Sequence, residues 1–221
     1  MERIFLEYFD SSVPLEAIVE ERYDAFDVAP HVRRTITPFL DILRQKDVET
    51  YRHSLRVGII GSRIAEYRGM DPKSSLYGGL LHDTGKCMTD LRLLRKREAF
   101  DENDLRMIEE HVMDGYRMLR GVLDFTADVI VRHHSFQARG YPKTLPDILH
   151  PYGPETFQKI QEYGRQLAMT DFYDAAHRMN GKGTGVRTGE NIRQLMFEAY
   201  SDRREQVNEL YEVGIFTTKT A

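Results

Sequence analysis

The chain has 221 residues, 41% of them apolar and 30% charged, a globular balance rather than a disordered or membrane-spanning one. Its 31 basic residues against 35 acidic ones, a formal net charge of −4, exclude a sequence-independent nucleic-acid groove, which rests on excess Lys and Arg. One cysteine, Cys87, excludes an internal disulfide framework and a four-cysteine zinc site.

The opening MERIFLEYFDSS mixes charge with apolar groups and lacks a signal peptide's long apolar stretch. No run approaches the ~18 apolar residues of a membrane span, so the expectation is a cytoplasmic protein without a membrane partner. Pro14, Pro30 and Pro38 divide the first part of the chain into short helical pieces, a preamble packed on the main body. From Val48 to Tyr67, Val57, Ile60 and Ile64 recur at helical spacing, and His53, one turn before Val57, points inward with them. Asp71-Pro72 reads as an N-cap with proline at the first helical position. That helix runs through Leu76 and Leu80 to His82-Asp83 and stops at Gly85.

Asp101, Asn103 and Asp104 open a further helix, with Leu105, Ile108, Val112 and Leu119 as its buried face and His111 at the edge. Another is predicted over Ala127–Phe136, where Val129 and Ile130 lie one turn before His133 and His134. Gln137–Gly153, rich in Gly, Pro and aromatics, reads as a loop of a length that is often functional. A helix follows with Ile160, Leu167 and Asp171 on one face and Ala175 one turn on. A flexible glycine-rich turn over 180–185 and a polar amphipathic helix from about Glu190 to Tyr211 close an all-α chain.

Seven ligand-type residues thus face inward: His53, His82, Asp83, His111, His133, His134 and Asp171. Singly, such a histidine is ordinarily a hydrogen-bonded core residue, and such an aspartate can cap a neighbouring helix. Together they need partners, because burying unpaired polar groups costs several kcal/mol each, and a shared metal site satisfies them all. Imidazole and carboxylate without thiolate suit iron, manganese, zinc, nickel or cobalt. Seven ligands exceed one tetrahedral ion, which implies two divalent metal ions. Two ions ~3.5–4 Å apart can activate a bridging water and hold both oxygens of a phosphoryl displacement. Asp83, with two carboxylate oxygens, is the natural bridge.

The ordered set His53, HDTGK (82–86), His111, HH (133–134) and Asp171 resembles the HD superfamily of metal-dependent phosphohydrolases. HVMDGYRML (111–119), GYP (140–142) and DFYDA (171–175) resemble its HD-GYP branch, over roughly residues 48–185. The resemblance implies a helical HD bundle at 48–185, with an N-terminal helical extension at 1–47 and a C-terminal helical segment at 186–221. It implies phosphodiesterase activity toward cyclic di-GMP or a related nucleotide, through a metal-activated bridging water. By position, His53, His82, Asp83 and Asp171 would hold one ion, and His111, His133 and His134 the other, with Asp83 shared. Lys86 matches the family lysine that contacts a substrate phosphate, which makes Asp83 and Lys86 the candidate catalytic pair.

The stretch after the paired histidines departs from the branch. HHSFQARGYP is one residue shorter, carries Ser135 in place of a Glu and lacks an Asp-Gly, and the loop after Pro142 differs too. The ligands are intact, so the departure bears on substrate choice. Arg139 and Tyr141 are the candidates to meet a phosphate and a base. Cys87, His31, His150 and His177 fall outside the pattern, although His177 is near enough for outer contact with the site. GKGTG (181–185) lacks a P-loop's spacing, and Arg178 and Lys182 beside it read as solvated surface. The same ligand set also allows a phosphatase of mononucleotides or other phosphate esters, or a di-iron oxygenase. A non-catalytic nucleotide sensor would have shed ligands, and none is missing. The expected partner is a small nucleotide or phosphate ester, with a homo-oligomer left open.

Overall fold

Among the residues that the computed structural model describes (14–96, 98–137, 139–148, 151–177 and 189–218), all regular structure is helical. Helix α1 (Leu15–Ala25) buries Leu15, Val19 and Tyr23, a face of helical period. Helix α2 (Pro30–Lys46) follows, and it corrects the expectation that Pro38 ends a segment: the helix runs through it. Pro38 is exposed, so the carbonyl it leaves without an amide partner faces water, while Ile36 and Leu43 on the other face are buried.

Helix α3 (Val48–Tyr67) is the centre of the fold. Asp47 caps it, its carboxylate accepting from the Thr50 backbone N–H at 3.0 Å. Val57, Ile60 and Ile64 are fully buried, as their spacing predicts. Helix α4 (Pro72–Leu81) starts at the expected Asp71 cap, which accepts from the Lys73 and Ser74 amides. It crosses α3 so closely that a Cβ on Gly79 would lie 2.4 Å from the Gly58 nitrogen and 2.5 Å from its Cα. This approach brings His53 and His82 into one place.

A 3₁₀ turn (Thr84–Cys87) leads to the short α5 (Leu91–Leu94), then α6 (Glu102–Glu109) and α7 (His111–Leu119). The single helix expected from Asp101 is therefore two, broken at Glu110, with Leu105 and Ile108 only half-buried and Val112 and Leu119 in the core. The cause lies in the 3₁₀ turn, which α7 meets backbone to backbone: a Cβ on Gly85 would overlap the His111 carbonyl. A further correction concerns Ala127–Phe136. Helix α8 spans Asp124–Ile130, and His133 and His134 sit in tight turns beyond it, where Arg132 and His133 amides bond the Val129 and Ile130 carbonyls.

Helix α9 (Pro154–His177) runs back along α3, α4 and α8 with Ile160, Leu167 and Asp171 inward. The C-terminal segment is corrected as well. It is not one helix but α10 (Gly189–Ala199), a 3₁₀ turn (Ser201–Arg203) and α11 (Arg204–Glu212). The bend buries Tyr200 and sends Val207, Leu210 and Phe216 into the same core as α3 and α9. The opening residues 1–13, His150, Arg178, Lys182 and the turn over 180–185 lie outside the described residues.

The α3–α4 crossing makes a direct prediction. Gly79→Ala forces two backbones apart rather than displacing a flexible side chain, so its cost falls at the upper end of overpacking, about 3 kcal/mol. A chain of this size should then lose about 6–12 °C in Tm, measurable by thermal denaturation of the metal-free protein.

Candidate metal centre

His53 leaves the middle of α3, His82 and Asp83 the end of α4, His111 the first residue of α7, His133 and His134 the turn after α8, and Asp171 the inner face of α9. The fold brings all seven together. His53 Nε2 lies 3.0 Å from Asp171 Oδ1, 3.6 Å from Asp83 Oδ2 and 3.2 Å from His82 Nε2. Asp83 faces both ways: Oδ2 is 3.4 Å from His82 Nε2, and Oδ1 is 3.4 Å from His111 Nε2. Three overlapping groups result, each with ligand atoms within 4.8 Å of one another: His53–His82–Asp83, His82–His133–Asp171 and His111–His133–His134.

The tautomers follow from the other ring nitrogens. Nδ1 of His82, His111 and His133 donates to the carbonyl three residues earlier, on Gly79 (2.8 Å), Ile108 (2.5 Å) and Ile130 (2.5 Å). A carbonyl only accepts, so these nitrogens carry the protons, and each Nε2 presents a lone pair to the centre. His53 instead donates Nδ1 to Asp174 Oδ2 at 2.6 Å, and Asp174 is gripped by Arg56 through Nε at 2.6 Å and Nη2 at 3.1 Å. This buried trio escaped the sequence reading. Its signal was present: Arg56 follows His53, and Asp174 follows Asp171, by three residues on inward helix faces.

Burial pushes His82 down to about 4 and His111 to about 3, and lowers His133 and His134 as well, so all four rings are neutral at pH 7. Burial would raise Asp83 and Asp171, but the surrounding imidazoles, with Lys86 beside Asp83, hold both well below the usual carboxylate range. Neutral imidazoles and ionised carboxylates are the forms that bind metal.

Asp83 Oδ1, His111 Nε2, His133 Nε2 and His134 Nδ1 are buried with no hydrogen-bond partner. Such an atom costs about 1–3 kcal/mol, and here all four belong to residues of the cluster. The residues fit divalent ions of the nitrogen- and oxygen-preferring kind.

The family model for the HD domain matches residues 50–176. The chain belongs to the HD domain family. It is 29% identical over 138 residues to a cyclic di-GMP phosphodiesterase of Thermotoga maritima, covering 59% of this chain and 35% of that protein. It is 28% identical over 178 residues to a cyclic di-GMP phosphodiesterase of Pseudomonas aeruginosa, covering 76% of this chain and 41% of the relative. The chain thus spans well under half the length of either. The HD domain of the L. monocytogenes phosphodiesterase PgpH superposes with a TM-score of 0.53 at 17% identity, covering 79% of this chain and 88% of that one. Its complex with cyclic-di-AMP gives 0.52 at 17% identity, covering 83% and 87%. At such identity the likeness is one of fold, and the fold is the helical HD-domain architecture that the motif order implied.

Around the HD centre, Lys86 places Nζ 2.6 Å from Asp83 Oδ2. Tyr141 stacks on His134 with ring centroids 4.4 Å apart and meets His111 edge-on at 6.2 Å. Arg139 is placed differently from Lys86 and Tyr141. Its guanidinium, half-exposed, bonds Glu102 at 3.0 and 3.2 Å and Glu109 at 2.7 Å, tying the loop to α6. His31 is exposed and His177 bonds the Tyr173 carbonyl, both outside the cluster. Cys87 contacts the Met118 sulfur at 3.8 Å.

Two predictions follow from this geometry. Chelation removes a ligand that binds only the folded state, worth about 2.7 kcal/mol at a hundredfold excess over Kd. The metal-free protein should therefore melt about 5–10 °C lower than the metal-loaded one. Asp174→Asn removes the carboxylate behind His53 and should weaken metal affinity about 10–100-fold, read by calorimetric titration.

Proposed function

We propose that this HD domain is a binuclear metal-dependent phosphodiesterase of cyclic dinucleotides, with cyclic di-GMP as the leading substrate. The observation that carries the proposal is the convergence of seven nitrogen and oxygen ligands with four unpartnered donor atoms among them. His53, His82, Asp83 and Asp171 would hold one ion, and His111, His133 and His134 the other, with Asp83 between them. The opposed faces of Asp83, one oxygen toward His82 and one toward His111, support that bridging role. Divalent ions bound there supply Lewis acidity toward the phosphodiester and toward water.

The chain's own groups do the remaining work. Asp83 and Asp171, held ionised, give the centre its negative charge. Lys86, its side chain 18% exposed, can exchange its bond to Asp83 for one to a non-bridging phosphate oxygen, where an ammonium offsets developing charge. Tyr141, against His134 and His111, offers an aromatic wall beside the scissile phosphate. Arg139, engaged by Glu102 and Glu109, serves in this reading to hold the loop that presents Tyr141. A phosphate would reach that guanidinium only by displacing carboxylates. The names of the two phosphodiesterase relatives favour cyclic di-GMP, and the shortened loop after His134 makes the choice of base the property to measure.

The test is protein purified without oxygen, loaded with iron or manganese, and offered cyclic di-GMP, cyclic di-AMP, pGpG and simple phosphate esters. Hydrolysis of the cyclic dinucleotide that chelator abolishes is the expected result. Lys86→Ala should lower kcat/KM about 10–100-fold for every phosphate substrate, the loss of one charged hydrogen bond, with metal content unchanged. Turnover confined to monoesters, or oxygen consumption without phosphate chemistry, would overturn the reading.

A further inference from the structure

The turn that carries the paired histidines has no helix of its own to hold it. His133 is fixed by its bond to the Ile130 carbonyl, but His134 has no such bond, and its Nδ1 is buried without a partner. Its direction depends on packing. Tyr141 stacks on one side. Two residues along the turn, the Phe136 ring lies under the guanidinium of Arg165 from α9, 4.7 Å from centroid to carbon.

That guanidinium is held from the C-terminal segment. Its Nη2 bonds both oxygens of Asp202 at 2.5 Å, and it lies 5.6 Å from the ring of Tyr200. Tyr200 in turn meets Phe172, the neighbour of Asp171, edge-on at 5.9 Å. The Arg165 side chain is only 14% exposed, which strengthens both the ion pair and the cation–ring contacts. A chain of contacts thus runs from the 3₁₀ turn Ser201–Arg203 to the histidine turn and to the Asp171 stretch. Both Tyr200 and Asp202 lie beyond residue 176, where the family match ends.

We propose that the C-terminal segment is a working part of the metal centre, with Asp202 and Tyr200 fixing Arg165 against Phe136 and thereby positioning the His133–His134 turn. The inference rests on the binuclear reading above. Arg165, Phe136, Tyr200 and Asp202 are positioning residues, acting on the ion held by His111, His133 and His134.

The same 3₁₀ turn provides an internal control. Arg203 docks it onto α9 through Glu162 at 2.7 and 2.8 Å, and Glu162 also accepts from Arg68. Among the described residues, the side-chain bonds of Arg203 go to Glu162 and Gln206 and not to the histidine turn. The experiment is calorimetric titration of the chelated full chain with Mn²⁺, beside the Tm of the metal-free protein. Asp202→Asn and Arg165→Met should weaken one of two binding steps about tenfold, the low end for outer-shell changes, and leave the other within about twofold. Arg203→Gln should lower the metal-free Tm and leave both steps within about twofold. Arg165→Lys, which keeps a cation between the rings and for Asp202, should recover most of the lost affinity. Asp202 has a side chain 62% exposed, so Asp202→Asn keeps the test available should Arg165→Met not fold. If Asp202→Asn and Arg165→Met leave both steps like Arg203→Gln, the segment merely docks and the inference falls while the binuclear reading stands. A single ion bound by the unaltered chain overturns both.

Discussion

Two imidazole nitrogens 3.2 Å apart, with two carboxylates against them, set the terms for this structure. His53 and His82 donate their Nδ1 protons outward, to Asp174 and to the Gly79 carbonyl, and turn their Nε2 atoms toward one another. Both rings are fully buried, and burial lowers His82 so that it does not take up a proton at pH 7. Asp83 and Asp171 add negative charge at the same place. A divalent cation held between the rings would draw in imidazole nitrogens and both carboxylates at once. The fold crowds two carboxylates and several buried imidazoles into one place, a cluster that a bound cation would stabilise together with the chain.

The device that orients the ligands recurs three times. An α-helix leaves its last four carbonyls without intrahelical partners. His82 follows the end of α4, His111 the end of α6, and His133 the end of α8, and each ring takes a carbonyl three residues back as its Nδ1 acceptor. A groove left by helix termination becomes an anchor that fixes both tautomer and direction. His53, in the middle of α3, has no free carbonyl to use, and the Asp174–Arg56 pair supplies the missing acceptor. Since a carboxylate makes the imidazole a stronger donor to metal than a carbonyl does, His53 is electronically unlike the other three.

The same device explains what the sequence could and could not reveal. The order His53, His82-Asp83, His111, His133-His134, Asp171 was legible because each residue lies on or beside an apolar stripe, and Val57, Leu80, Val112 and Ile130 are indeed fully buried. The helix ends were not. Periodicity alone carries Asp101 onward through His111 and Ala127 onward through Phe136, since nothing at Glu110 or Val131 is a Gly or Pro stop signal. The breaks arise from tertiary packing, α7 against Gly85 in one case and the tight turns after Ile130 in the other. Arg139 shows a different limit. A cation next to a site motif suggests anion binding, but Glu102 and Glu109 lie some thirty residues upstream and reach it only through the fold.

The flanks bear on the same centre because the core does not stop where the ligands do. Leu15 and Val19 from α1 share one apolar cluster with Val57 and Leu80, and with Val207, Leu210 and Phe216 from the C-terminal segment. Tyr173 joins the two levels: its ring stacks on Phe216 at 4.0 Å, its hydroxyl accepts the Thr217 amide at 2.9 Å, and its chain neighbour Asp174 orients His53. A buried side chain cannot shift without its neighbours in an interior packed at crystal density. The register of α9, and with it the placement of Asp171 and Asp174, is therefore shared between the ligand helices and residues that no metal touches.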